Sequence, residues 1–245
     1  MAMYQADKVA LVTGAGRGIG RAVALALARK GYALALAART RDELEATRSA
    51  SGLAPVQALI VLVDLATEDA PDDLIGATLD HFGRLDLLVN NAGWAPPRTP
   101  LVKFSAADQD RVLAVNLRAP IALARLAAAQ MANQPGGGLI INIASAAARN
   151  TPAGEAVYAA AKAGLVAFTH ASFAELRHHN VRTSVIIPGL TDTALIPPNK
   201  RLARTAMLTP ENVADTVISI VDTPTAACPL EIVLEPTQDP MRAPR

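Results

Sequence analysis

Tyr158 and Lys162 stand four residues apart in a segment whose pattern predicts a helix over residues 156–178. That spacing puts both side chains on one helical face. A tyrosine ordinarily releases its proton near pH ~10, and a neighbouring ammonium favours the phenolate and lowers that value. Such a tyrosine can give a proton to a carbonyl oxygen, or take one from an alcohol. Ser145 closes the apolar run at residues 139–144 and can hydrogen-bond and polarise the same oxygen. Taken alone, a Tyr and a Lys four apart describe many helix surfaces, and a serine at a strand end is commonly structural. The set gains meaning only from what surrounds it.

A second chemical feature lies near the start of the chain. Thr13-Gly14-Ala15-Gly16-Arg17-Gly18-Ile19-Gly20 follows an apolar run and opens a helical pattern. Glycines there tolerate positive φ and let backbone approach a pyrophosphate, while a helix N-terminus offers free N–H groups and a favourable dipole. No glycine triple in this turn fits G-x-G-x-x-G, and a tight turn without a ligand is the plainer alternative. Its position at the first strand–helix junction favours a dinucleotide. A carboxylate after the second run would bind the ribose 2′-hydroxyl of NAD. The sequence there is Ala37-Ala38-Arg39-Thr40-Arg41. An arginine can instead pair with the 2′-phosphate of NADP, and Arg17 can supply a second cation. The competing readings are solvated arginines at a helix start, and Asp42 as the ribose acid.

These groups need a scaffold to bring them together. Apolar runs at residues 9–12, 33–38, 56–63, 85–89, 139–143, 181–187 and 231–234 read as strands. Several are apolar throughout, as expected for strands covered on both faces. Between them, residues 19–30, 41–50, 74–82, 106–131, 156–178 and 210–221 read as helices. That alternation predicts an α/β fold: one Rossmann-like, doubly wound parallel sheet of seven strands with helices on both faces. No Gly-, Ser- or Pro-rich linker divides the chain, so residues 1–245 are expected to form a single dinucleotide-binding and catalytic domain. The tail from Asp239 is expected to fray.

Composition excludes several classes. The hydrophobic fraction of 51% against 18% charged describes a globular chain, not a disordered one. Aromatics at 3% give no stacking platform for single-stranded nucleic acid, and a net charge of +1 without a basic run argues against nucleic acid and membrane surfaces. Cys228, the only cysteine, cannot form an internal disulfide, and its plain reading is a small buried hydrophobe. No histidine has metal-ligand spacing. Residues 126–148 carry no charge, but Asn133-Gln134-Pro135-Gly136-Gly137-Gly138 in their middle would leave backbone unpaired in lipid. They read as a helix end, a loop and a buried strand. The start of the chain shows no apolar signal-peptide core, and a cytoplasmic protein is expected.

In these residues the sequence resembles the classical short-chain dehydrogenase/reductase family, over nearly its whole length. Thr13, Gly14, Gly18 and Gly20 match T-G-x-x-x-G-x-G. Asp64-Leu65 resembles the pair that contacts adenine, and Asn90-Asn91-Ala92-Gly93 matches N-N-A-G. Asn116, Ser145, Tyr158 and Lys162 match the catalytic tetrad. Pro188-Gly189, with Thr191 and Thr193, resembles the segment that holds the nicotinamide carboxamide.

The resemblance implies roles for these positions. Tyr158 would be the general acid/base of hydride transfer between NADP(H) and a carbonyl or secondary alcohol, assisted by Lys162, Ser145 and Asn116. Asn116 would kink its helix and hold a water next to Lys162. Gly14, Gly16, Arg17, Gly18, Ile19, Gly20, Arg39, Asp64, Leu65, Asn91, Ala92, Gly93, Tyr158, Lys162, Pro188, Gly189, Thr191 and Thr193 would bind the cofactor. The two longest helices would form a homodimer or homotetramer.

The sequence also departs from the family. Residues 231–237 lack the double glycine of many relatives and look more like a branch of hydroxy acid and hydroxy amino acid dehydrogenases. An NAD(H)-dependent enzyme of that kind, or a nucleotide-binding sensor without catalysis, is the alternative. Residues 191–208 are expected to form a substrate lid. Its Lys200, Arg201 and Arg204 either attract an anionic substrate or are ordinary loop charges.

Overall fold

The computed structural model describes residues 4, 6–196, 199–200 and 202–241. Parts of three expectations lie outside them: the N-terminal residues 1–3 and 5, Pro197, Pro198 and Arg201 of the lid, and the end of the tail. Seven strands form one sheet: β1 (Val9–Thr13), β2 (Ala33–Ala38), β3 (Ala58–Leu62), β4 (Leu87–Asn90), β5 (Gly138–Ile143), β6 (Val181–Pro188) and β7 (Glu231–Leu234). Their order is β3-β2-β1-β4-β5-β6-β7, and every neighbouring pair is parallel. The strand order reverses between β1 and β4, where a doubly wound sheet opens a crevice at its carboxyl edge.

The continuous apolar character of β1 follows from burial on both sides. Ala10 and Val12 enter one core, and Val9 and Leu11 enter the other. The first core is closed by α1 (Gly18–Arg29), α2 (Arg41–Ser51) and α8 (Pro210–Asp222). The second is closed by α3 (Ala70–Phe82), α5 (Ala119–Ala132) and α7 (Ala156–Leu176). Alanine is how these layers come close: Ala22, Ala24, Ala26 and Ala28 of α1 are all buried. Cys228 is half-buried rather than enclosed, and its Sγ donates to Thr183 O at 3.3 Å.

One expected helix is not continuous. Residues 106–131 divide into α4 (Ala106–Leu113), a π-helical turn (Ala114–Arg118) and α5. Asn116 Nδ2 donates to Val112 O at 2.9 Å, so the side chain competes for the carbonyl that the α-helical ladder would use. Pro120 has no N–H to return to the Asn116 carbonyl four residues back. The ladder widens, and Ala119 N–H reaches Ala114 O, five residues back. By length and composition residues 106–132 would pass for a membrane span, yet 56% of that apolar window is buried inside the fold, as in a core helix. A short helix, α6 (Ala147–Asn150), was not expected from the sequence.

Candidate active site

The turn after β1 is built by close approach. Gly14 has φ 66°, and a Cβ there would come within 2.8 Å of Asn91 Nδ2. A Cβ on Gly20 would collide with the Gly14 carbonyl. Asn91 Nδ2 donates to Thr13 O at 2.9 Å, and the Thr13 hydroxyl receives Asn91 N–H and Ala92 N–H, both at 3.0 Å. The turn after β1 and the Asn91–Ala92–Gly93 segment after β4 are thus stitched together across the sheet's switch point. Arg17 is the extended cap of α1 and provides no side-chain cap, so the first-turn amides stay available to an anion. Ile19 packs on the core and anchors that turn. A glycine cradle that any Cβ would fill, facing uncapped amides, fits a dinucleotide pyrophosphate.

Beside this turn lies a cationic region. Arg39 is exposed after β2 and has no ion-pair partner among the described residues, although its charge helps hold Asp64 ionised. Arg17 pairs instead with Glu43 at 3.4 Å, in a contact about two-thirds exposed on the arginine side. Asp42 sits in the first turn of α2, where a carboxylate favours the dipole. Asp64 follows β3, with Leu65 buried behind it. Burial would raise the Asp64 carboxyl, but the Ala66 N–H and the Arg111 guanidinium outweigh it and hold it below the usual range.

The four residues expected to form the tetrad come from three elements. Ser145 follows β5, Tyr158 and Lys162 lie on α7, and Asn116 is in the π turn. Tyr158 is hydrogen-bonded to Ser145. Lys162 Nζ lies 5.8 Å from the Tyr158 ring centre and donates to Ile143 O at 2.9 Å. Its two other N–H bonds are unclaimed among the described residues. Gly164, two residues beyond Lys162 on α7, lets that helix approach Leu117: a Cβ would lie 3.2 Å from its Cδ2. Gly93 covers the group, since a Cβ there would lie 3.1 Å from Asn116 Oδ1 and 3.8 Å from Lys162 Nζ.

The electrostatics correct one expectation. Burial pushes Tyr158 up to about 12, Glu155 adds to the rise, and the Ser145 hydrogen bond only partly opposes it. Burial likewise pushes Lys162 down to about 8. The lowering of Tyr158 expected from the Tyr–Lys spacing is not seen: desolvation dominates, and the lysine charge is not among the influences on it. Tyr158 is held in its protonated form at neutral pH. The Asn116 side chain is also fully engaged: Nδ2 donates to Trp94 O at 2.6 Å and to Val112 O, while Oδ1 receives Trp94 N–H at 3.3 Å. Its main-chain carbonyl receives nothing from Pro120, which has no N–H.

The segment after β6 folds back over the turn. Thr193 Cγ2 lies 3.3 Å from where a Gly18 Cβ would stand. Thr191 bridges Leu208, and Asp192 N–H donates to Leu208 O at 2.8 Å, closing the neck of the expected lid. Arg204 is turned inward, onto Asp192 and the Ile196 carbonyl at 2.6 Å. It clasps the lid and is not a free anion receptor. Pro188 ends β6, and Gly189 is pressed against the Glu235 carboxylate, which a Cβ would strike.

Sequence reasoning passed over Trp94, Arg111 and Glu155. Trp94 directly follows the Asn91–Gly93 segment and is the chain's only tryptophan, which was a usable signal. Arg111 carried none, since Asp64 is distant in sequence, whereas Glu155 stands only three residues before Tyr158 and could have been read from that spacing. Among the described residues no group of acidic, His and Cys side chains could hold a metal ion.

The chain is similar to known proteins in both sequence and fold. Residues 8–201 match the family model described as short chain dehydrogenase. Levodione reductase of Leifsonia aquatica is 33% identical over 208 residues, covering 84% of this chain and 76% of that one. A 3-oxoacyl-[acyl-carrier-protein] reductase of Synechocystis sp. is 37% identical over 232 residues, covering 90% and 91%. A metagenomic short-chain oxidoreductase solved in complex with NADP superimposes with a TM-score of 0.82 at 34% identity, covering 96% of this chain and 99% of its own.

Proposed function

Because the chain belongs to the short-chain dehydrogenase/reductase family, we propose that it is an NADP(H)-dependent carbonyl reductase or alcohol dehydrogenase. The observation that carries this reading is the convergence of Tyr158, Ser145, Lys162 and Asn116 beside the glycine turn at the sheet's switch point. The reading treats residues 1–245 as one catalytic domain with a lid at 191–208. The single cysteine suits a reducing, cytoplasmic compartment.

Gly14, Gly16, Gly18, Ile19 and Gly20 would hold the pyrophosphate, with Arg17 and Arg39 at the 2′-phosphate. Asp64 and Leu65 would flank the adenine. Asn91, Ala92 and Gly93 would line the middle of the cleft, Tyr158 and Lys162 would bind the nicotinamide ribose, and Pro188, Gly189, Thr191 and Thr193 would hold the carboxamide. The nicotinamide, when bound, supplies or accepts the hydride. In reduction, Tyr158 Oη gives its proton to the substrate oxygen while Ser145 Oγ donates a hydrogen bond to that oxygen. Lys162 brings a positive charge that steadies the phenolate left behind. A water on the Asn116 carbonyl can return the proton through Lys162.

The preference for NADP(H) rests on the Arg39 cation standing where a carboxylate would serve NAD. Support also comes from the NADP-bound relative. The test is absorbance at the nicotinamide band with a panel of ketones, aldehydes and secondary alcohols. NADPH-dependent turnover is expected. NADPH binding without turnover of any compound would contradict the enzymatic reading, and equal Kd for NADH and NADPH would contradict the cofactor preference.

A further inference from the structure

Arg111 belongs to neither motif, yet it touches both ends of the site. It lies in the last turn of α4, beside an open cleft lined by Ala66, Asp110, Ala114 and Arg118. Its Nη2 donates to Asp64 Oδ2 at 2.9 Å. Its guanidinium carbon also lies 5.5 Å from the centre of the Trp94 ring. Trp94 is in turn held through its backbone, both N–H and C=O, by the side chain of Asn116. Arg118, from the π turn, donates to Ala66 O at 2.7 Å and fixes the same Asp64 turn from the other side.

We propose that Arg111 is a positioning residue shared by the two ends of the dinucleotide cleft. One edge of its guanidinium sets Asp64 for the adenine, and the guanidinium also supports Trp94, which frames Asn116. Arginine suits both tasks, because it carries in-plane donors for a carboxylate and a delocalised cation for an aromatic ring. Lysine offers the charge without the planar fork. The inference rests on the cofactor-binding reading given above. It adds that occupancy of the adenine end is felt at Trp94, next to the proton-handling group.

The chain's only tryptophan reports on this contact directly. The probe is adenosine 2′,5′-bisphosphate, which carries the adenine and 2′-phosphate but no nicotinamide. Its binding is followed by calorimetry, and Trp94 emission is recorded in the same titration. Wild type should bind it with a change in Trp94 emission. Arg111→Met should still bind, about three- to tenfold more weakly, and lose the emission change. Arg111→Lys should recover most of the binding and little of the emission change. In steady state, Arg111→Lys should lower kcat with the KM for NADPH nearly kept.

An emission change of wild-type size in Arg111→Met overturns the proposal. So does parallel loss of binding and kcat in both Arg111 variants that follows their melting temperatures. A wild type that binds neither the bisphosphate nor NADPH overturns the cofactor reading itself, and the proposal with it.

Discussion

Lys162 is buried at 3% exposure, with one hydrogen bond to Ile143 O, and its ammonium is depressed to about 8. Holding that charge out of water destabilises the folded chain at neutral pH by about 2–4 kcal/mol, the energy equivalent of the shift. The folded pKa lies below the unfolded one, so the unfolded chain binds more protons between the two values. The penalty is full below pH 8 and fades as pH rises from about 8 toward the ordinary lysine value of 10.5. Lys162→Met should be inactive yet melt no lower than wild type at pH 7. The gap between the two should close by pH 10, as read by thermal unfolding across that range. Tyr158 acts in the opposite sense. Its pKa is raised from 10.0 to about 12, so its contribution to stability is lost as pH climbs through that window. Carbonyl reduction should accordingly hold its rate at neutral pH, where Tyr158 keeps its proton. Alcohol oxidation should speed up with rising pH, as pH profiles in each direction would show.

At the scale of elements, the site depends on close approaches that only some residues permit. Gly20→Ala would drive its Cβ into the Gly14 carbonyl and Asn91 Nδ2, forcing the turn after β1 to open. A loss of tenfold or more in NADPH affinity is expected, with destabilisation of about 1–3 kcal/mol, measured by calorimetry and denaturant unfolding. Much of this level was legible in the sequence. The continuous apolar runs announced strands buried on both faces, and the glycine turn announced the first junction. The break at Asn116 was expected only from the family resemblance, because the helical pattern runs on from α4 into α5. What breaks it is the Asn116 side-chain bond to Val112 O and the missing N–H of Pro120, neither of which interrupts that pattern. The Tyr158 pKa was also beyond reach, since it is set by burial contributed by segments far apart in the chain. Arg111 escaped notice for the same reason: Asp64 lies 47 residues away.

For the molecule as a whole, α5 and α7 are apolar around most of their circumference while lying on the outside of the sheet. In α7, Ala159, Ala161, Lys162, Leu165, Thr169 and Ser172 are buried, and much of the remaining apolar surface has no cover within one chain. A second copy should cover it, so light scattering should give the mass of a dimer or tetramer; a strict monomer at micromolar concentration would contradict this. Cofactor choice also belongs to the molecule's surface, where Arg39 has no ion-pair partner among the described residues and Arg17 would have to exchange Glu43 for a phosphate. Arg39→Asp should weaken NADPH by about tenfold or more and spare NADH, as parallel Kd measurements would report.

In the proposed mechanism Tyr158 hands over the proton while hydride moves. It is tested most directly by comparing wild type with Tyr158→Phe in NADPH-dependent carbonyl reduction, with NADPH affinity measured on both. A fall in kcat of about 100- to 10,000-fold is expected, with Kd for NADPH nearly unchanged. Tyr158→Phe retaining wild-type kcat would contradict it.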